Sequence, residues 1–347
     1  MTTQVVRTEP RGAGGFTPLL RAEISRVSHR RFYRICSLLL IAGIVVVSGI
    51  VFFHSSRPDE IPAAAQQQYE RALAEQMRFY DRCITQDVPA GADPSNYCGE
   101  SPDQYLTVYA FMDAKPYRAA EYLLPVVLTV SVASAMLAFL IGASTGGAEW
   151  SSRSMTLQLL WEPRRLRLLF TKWLALAIVM LLTAIVNLVI GIGLAAATTS
   201  LRGTWDGLPA EFWPDIYGAA ARGAVLIVFA ATVAYAISML VRNTGGSLGV
   251  GFVYFAVAEL GLRVGLAKYG PDVYLLSANV AAWLARNGLD VPGPENQKAS
   301  NGQGMEGDMY SVAMVHLSNL HGLAVMTCYL AVLVLPAVWS FRRRDVS

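Results

Sequence analysis

Ionisable residues are scarce in this chain, so the places where they gather carry information. Residues 149–173 read EWSSRSMTLQLLWEPRRLRLLFTKW and lie between two long apolar runs. Glu149, Arg153, Arg164, Arg165, Arg167 and Lys172 alternate there with Thr156, Leu157, Leu159, Leu160 and Leu166. SMTLQLL reads as a short amphipathic helix, and Pro163 stops it because proline can neither donate a backbone hydrogen bond nor fit a helix interior. A basic amphipathic element of this kind can anchor to anionic lipid. Joined directly to two apolar runs, it can also carry motion from a partner into the membrane. A second place is Glu259, deep in an apolar run, with Arg263 one turn later. An ionisable group in lipid is costly unless it is paired or faces a cavity, and an i, i+4 pair would satisfy it; contact with a substrate is the other reading. A third is Cys83 and Cys98, both in a long polar segment, whereas Cys36 and Cys328 sit inside apolar runs. Such a pair on an oxidising side of a membrane reads as a disulfide.

Other chemistry is not indicated. No Gly-Lys pair occurs anywhere, so the chain holds no Gly-x-x-x-x-Gly-Lys phosphate loop, and GASTGG at 142–147 lacks both the lysine and a preceding strand. His29, His54, His316 and His321 are too few and too badly spaced for a metal site. No nucleophile elbow, zincin motif or convincing carboxylate pair is found, so no catalytic residue is assigned. Nor is there a basic stripe interleaved with stacking aromatics away from the membrane-flanking segments, which argues against nucleic acid.

The elements that must position these residues follow from composition. Of 347 residues, 54% are hydrophobic and 15% charged, and the mean hydropathy is +0.40. A soluble domain carries about 25% charged residues, so lipid must solvate much of this surface. The runs are continuous rather than alternating, which excludes a β-barrel. We read an all-α polytopic membrane protein with six spans, at 35–53, 122–145, 173–198, 223–241, 248–266 and 320–340. Residues 1–18 are polar, with Gly and Pro, and are expected to be disordered; no signal-peptide pattern is present. Residues 19–34 place Leu19, Leu20, Ile24 and Val27 at helical spacing among five arginines, the pattern of a helix in the membrane interface.

Lysine and arginine set the orientation. Seven arginines precede the first span, four and Lys172 lie in the 146–172 loop, Arg242 follows the fourth span, and Arg342, Arg343 and Arg344 open the 341–347 tail. With six spans these segments share one side, expected to be the cytoplasm. The other side receives 54–121, 199–222 and 267–319. The 54–121 segment is too long for a connector. Its residues 62–84 carry an apolar stripe of Tyr69, Leu73, Met77, Tyr80 and Ile84, expected as a helix packed in a small external cap, with partner binding as the alternative. Residues 273–289 are apolar but too short to span, and read as a surface or re-entrant helix.

The 149–173 stretch resembles the permease subunits of ABC exporters of the ABC-2 type. In that family an acidic residue ends the second span, then come a Gly-Thr-Leu or similar, two leucines, a proline, a basic pair and a lysine before the third span. Glu149, Thr156, Leu157, Leu159, Leu160, Pro163, Arg164, Arg165 and Lys172 fit that order. Ser154-Met155-Thr156-Leu157 departs from the usual Gly-Thr-Leu, and the motif does not explain 54–121. The resemblance implies that 149–165 is a coupling helix seated on a separate ATP-binding subunit. It implies that ATP and Mg are held by that partner, that no cofactor is held here, and that a second permease subunit, identical or related, completes the path in a cell membrane, expected to be bacterial. An intramembrane enzyme, or a sensor or scaffold binding a ligand through 54–121, are the rival readings; activity without an ATPase, or signalling without flux, would single them out.

Overall fold

The computed structural model describes residues 15–86, 98–161, 164–294 and 314–343. Six of its helices are long and apolar enough to cross a membrane: Arg31–His54, Ala119–Ser151, Arg165–Arg202, Phe212–Val241, Thr244–Gly265 and Asn319–Arg343. The chain is thus an all-α polytopic membrane protein. Most helices overrun the apolar windows read from the sequence, because helix continues through the polar residues that flank each run. Residues 1–14 of the polar tail, the 295–313 part of the last long loop and residues 344–347 of the basic tail lie outside the described residues.

The chain divides into two compact units, residues 1–43, 127–190 and 213–347 in one and 44–126 with 191–212 in the other. In the first unit the N-terminal helix runs Phe16–Ser28, three residues earlier than expected at its start. It does not extend to Arg34, because His29 closes it. The His29 N–H and ring nitrogen both reach the Ser25 carbonyl, at 3.0 and 2.9 Å, and Ser28 Oγ donates to the same oxygen. A new helix then starts at Arg31. Parts of the second, third, fourth and sixth spans supply one hydrophobic core containing Ile141, Leu168, Leu176, Met180, Ile227 and Met326.

Small residues let these helices approach closely. GASTGG is helical, and a methyl group on Gly146 would meet Ser238 Oγ and the Tyr235 ring, while one on Gly147 would sit 2.4 Å from the Thr244 backbone nitrogen. The segment is therefore a packing seam, not a phosphate cradle. Residues 267–289 fold as short turns and one helix, Leu276–Leu284, shorter than the apolar stretch suggested. Asn319 ends it by donating to the carbonyls of Ala282, Trp283 and Ala285. The strand Leu289–Pro292 then pairs antiparallel with Met314–Leu317.

In the second unit, helix Ala63–Gln86 is tied by the Cys83–Cys98 disulfide, and its Tyr69 meets Phe111 edge-on. Ser101, just before the one-turn helix Pro102–Tyr105, and Tyr105 at its end bond to Met77 and Gln76 of helix Ala63–Gln86. A short parallel pair joins Tyr117–Arg118 to Gly203–Thr204. Burial and the neighbouring Tyr122 push the Tyr117 phenol up to about 12, so it stays neutral throughout the physiological range.

Two outcomes check this architecture. Gly147→Ala, with no room for its methyl, is expected to cost about 1–3 kcal/mol, whereas Gly193→Ala, where nothing lies within 4 Å, should leave the melting temperature in detergent unchanged. Replacing Cys83 and Cys98 by Ala, which opens a bridge across a sequence separation of 15, should cost about 3 kcal/mol in the local unfolding measured by hydrogen exchange.

Candidate coupling site

The short helix Ser154–Trp161 leaves the second span through a sharp joint at Ser152 and Arg153, where Arg153 adopts a left-handed φ of 57°. That region is unfavourable for a side-chain-bearing residue other than Asn or Asp, so surrounding contacts must hold it. Ser154 Oγ donates back to the Glu149 carbonyl at 3.3 Å and Ser152 Oγ to the same atom at 3.5 Å. The helix turns one face inward: Met155 is fully buried and Leu159, one turn later, packs on the core. The other face looks out, with Leu157 60% and Leu160 76% exposed. Thr156 is half-buried between the faces, Arg164 is exposed, and Arg165 begins the third-span helix. Pro163 lies outside the described residues.

Glu149 and Lys172 are placed differently from the leucines. Both are buried, and they face each other with Lys172 Nζ 2.8 Å from Glu149 Oε2, although the angles there are not those of a hydrogen bond. Lys172 also donates to both oxygens of Glu23, at 3.2 and 3.1 Å. Arg30 donates to Glu149 Oε1 at 2.8 Å and to the Ser144 and Thr145 carbonyls, and Arg26 donates to Glu23 at 2.7 Å. Two carboxylates and three cations thus join the N-terminal helix, the end of the second span and the start of the third. Next to them Trp150 lies under the Arg242 guanidinium, 4.4 Å away, and against Phe341. Arg242 too is left-handed, with φ 58°, where the fourth span turns into the fifth.

Sequence reasoning found Glu149 and Lys172 but missed Glu23, Arg26 and Arg30 as their partners. A signal was present: Glu23 shares the helical stripe of Leu20 and Val27, and an acid on an apolar stripe marks a buried charge awaiting a cation.

Glu259 is also buried, inside an eight-residue segment, Phe255–Leu262, whose turns widen to i→i+5 hydrogen bonding. Arg263 stands 3.6 Å from its Oε2. Closer partners come from elsewhere. The Ser277 N–H donates to Oε1 at 3.0 Å, the Ser277 hydroxyl to Oε2 at 2.5 Å, and the Tyr254 hydroxyl to Oε1 at 3.0 Å. Arg263 turns instead to Asp272, at 2.7 Å, and to Ser277. The pair read from the sequence is therefore one edge of a network that pins the start of helix Leu276–Leu284 to the fifth span. Spacing along one helix could not reveal partners that approach across a loop. Asn187 donates to Ser134 at 3.1 Å, an interhelical bond within the core. Among the described residues no cluster of three or more metal-ligating side chains occurs.

Residues 22–346 match the family model described as ABC-2 family transporter protein. A comparison with curated proteins gave no match.

Lys172→Met leaves Glu23 and Glu149 buried with less positive charge, and should cost about 3–5 kcal/mol. Adding Glu23→Gln to Lys172→Met should recover part of that loss. Thermal unfolding in detergent measures both, and equal melting temperatures for Lys172→Met and the unaltered chain would show the cluster to be dispensable.

Proposed function

The chain belongs to the ABC-2 family of transporter proteins and is a multi-pass permease subunit of an ABC transporter, a class that works with an ABC ATP-binding partner; from that premise we propose an exporter that receives its partner's stroke through helix Ser154–Trp161. The partner would bind ATP and Mg, since this chain has no phosphate loop and its GASTGG segment is packed helix. Two permeases, identical or related, would enclose the path in a cell membrane, with the arginine-rich segments on the cytoplasmic side.

The observation that carries this reading is the division of labour on one short helix. Leu157 and Leu160 expose apolar surface beside exposed Arg164, while Met155 and Leu159 fasten the same helix to the core. Apolar side chains ringed by arginine are the composition of a protein-binding patch, and Arg is enriched at such contacts. In this reading Glu149 and Lys172 touch no ATPase. They transmit: a push on Leu160 reaches the second and third spans because their ion pair joins those spans at the root of the helix. Thr156, Arg164 and Arg165 flank the contact.

Leu160→Glu, at an exposed position, is expected to leave folding intact and to lower co-purification of the ATP-binding chain by about tenfold or more. Glu149→Ala, which removes one charge from the buried cluster and so lowers stability, is expected in its folded fraction to retain the ATPase but to lose substrate-stimulated hydrolysis and transport. Full partner retention by Leu160→Glu, read by quantitative mass spectrometry, would sink the proposal.

A further inference from the structure

The third, fourth and sixth spans leave a groove of about 520 Å³ on one flank of the first unit. Leu166, Phe170, Trp173, Ala331, Leu335 and Val338 form much of its wall, and the lining is almost wholly apolar. Phe170 is 50% and Leu335 67% exposed, so the groove opens sideways. All its walls belong to helices long and apolar enough to span, which puts the groove at the depth of the hydrocarbon in a bilayer. Water has no partners there, and an empty groove would forfeit dispersion contacts along its whole length.

One end of this groove is charged. Ala331, Leu335 and Val338 form a single helical stripe, and Arg342 is the next residue on it, one turn beyond Val338. Arg342 and Arg343 are exposed, and Arg343 lies 4.9 Å over the exposed Trp339 ring. Across the groove, Arg164, two residues before Leu166, is exposed. The Phe16 ring of the N-terminal helix stacks on Phe170. An indole with arginines at the end of a spanning helix marks the headgroup level, where basic residues attract anionic lipid.

We propose that this groove is a binding site for one anionic phospholipid of the surrounding bilayer, an acyl chain lying between the third and sixth spans and the phosphate meeting Arg342 with Arg343. The groove's volume is of the order of one long acyl chain, and the charge at its end complements an anionic headgroup. The inference is independent of coupling through Ser154–Trp161 and rests only on these helices spanning the bilayer.

The test uses the full-length chain with its co-purifying partners, reconstituted in nanodiscs of phosphatidylglycerol or of phosphatidylcholine, then released and weighed by native mass spectrometry. The unaltered chain should retain phosphatidylglycerol about tenfold more than phosphatidylcholine. Arg342→Gln with Arg343→Gln should erase that preference, and Ala331→Trp, which fills the groove, should remove the retained lipid. Ala331→Leu, a milder filling, should reduce retention in part and guards against misfolding of the larger variant. Equal retention of the two lipids by the unaltered chain would overturn the headgroup assignment. Unchanged phosphatidylglycerol retention in both Ala331 variants would overturn the groove as its site, as would loss of a dimer mass rather than of lipid, which would give the groove to a second copy.

Discussion

Lys172 sits between two carboxylates with its side chain almost wholly out of solvent. Burying such charges is expensive, and the attraction between them offsets the cost only when geometry is good and further donors satisfy the remaining lone pairs. Arg26 and Arg30 provide those donors. The arrangement constrains everything around it. The N-terminal helix cannot drift from the bundle without stranding Glu23, and the second and third spans cannot part without stranding Glu149. A hydrophobic seam of the same area would permit sliding. An ion cluster permits one register, because each displaced charge is left unpaired in a poor solvent.

The second buried carboxylate shows the same rule applied to a different end. Glu259 is satisfied mainly by uncharged donors, two hydroxyls and one backbone N–H, with Arg263 at longer range. The backbone donor is the Ser277 N–H in the first turn of helix Leu276–Leu284, where amides have no partner of their own. A carboxylate there satisfies an orphan donor of that helix and anchors a loop to a span. The two clusters thus fix different connections: one joins the N-terminal helix and two spans, the other joins the start of helix Leu276–Leu284 to the fifth span.

Much of this was legible in the sequence. The number of spans follows from runs of apolar residues, since lipid admits few alternatives to a helix of sufficient length. The disulfide followed from where its cysteines lay, and the family from the order of residues 149–173. What the sequence concealed were relations between segments far apart. Glu149 and Lys172 resemble neighbours of a cytoplasmic partner as long as only their stretch is considered; the structure buries them against Glu23 and Arg30, more than a hundred residues upstream. Periodicity reports which face of a helix is apolar, not which helix covers it. Helix ends were also obscured. The stop at Ser28 depends on His29 and Ser28 folding back on the Ser25 carbonyl, a local competition that hydropathy does not register.

The widened turns at Phe255–Leu262 have a consequence for how this chain compares with its kin. Bonding from i to i+5 accommodates one more residue than a regular helix uses over the same rise. Removing a single residue would restore ordinary winding and leave the helix beyond nearly in its present phase, because the extra residue is absorbed within the widened turns. Glu259, inside those turns, would lose the azimuth from which it meets Ser277, whereas Arg263, beyond them, would keep its own. The direction of Glu259 is therefore encoded by the length of the segment as well as by residue type. Two sequences differing by one residue here would agree at both ends of that helix and differ in what its middle presents.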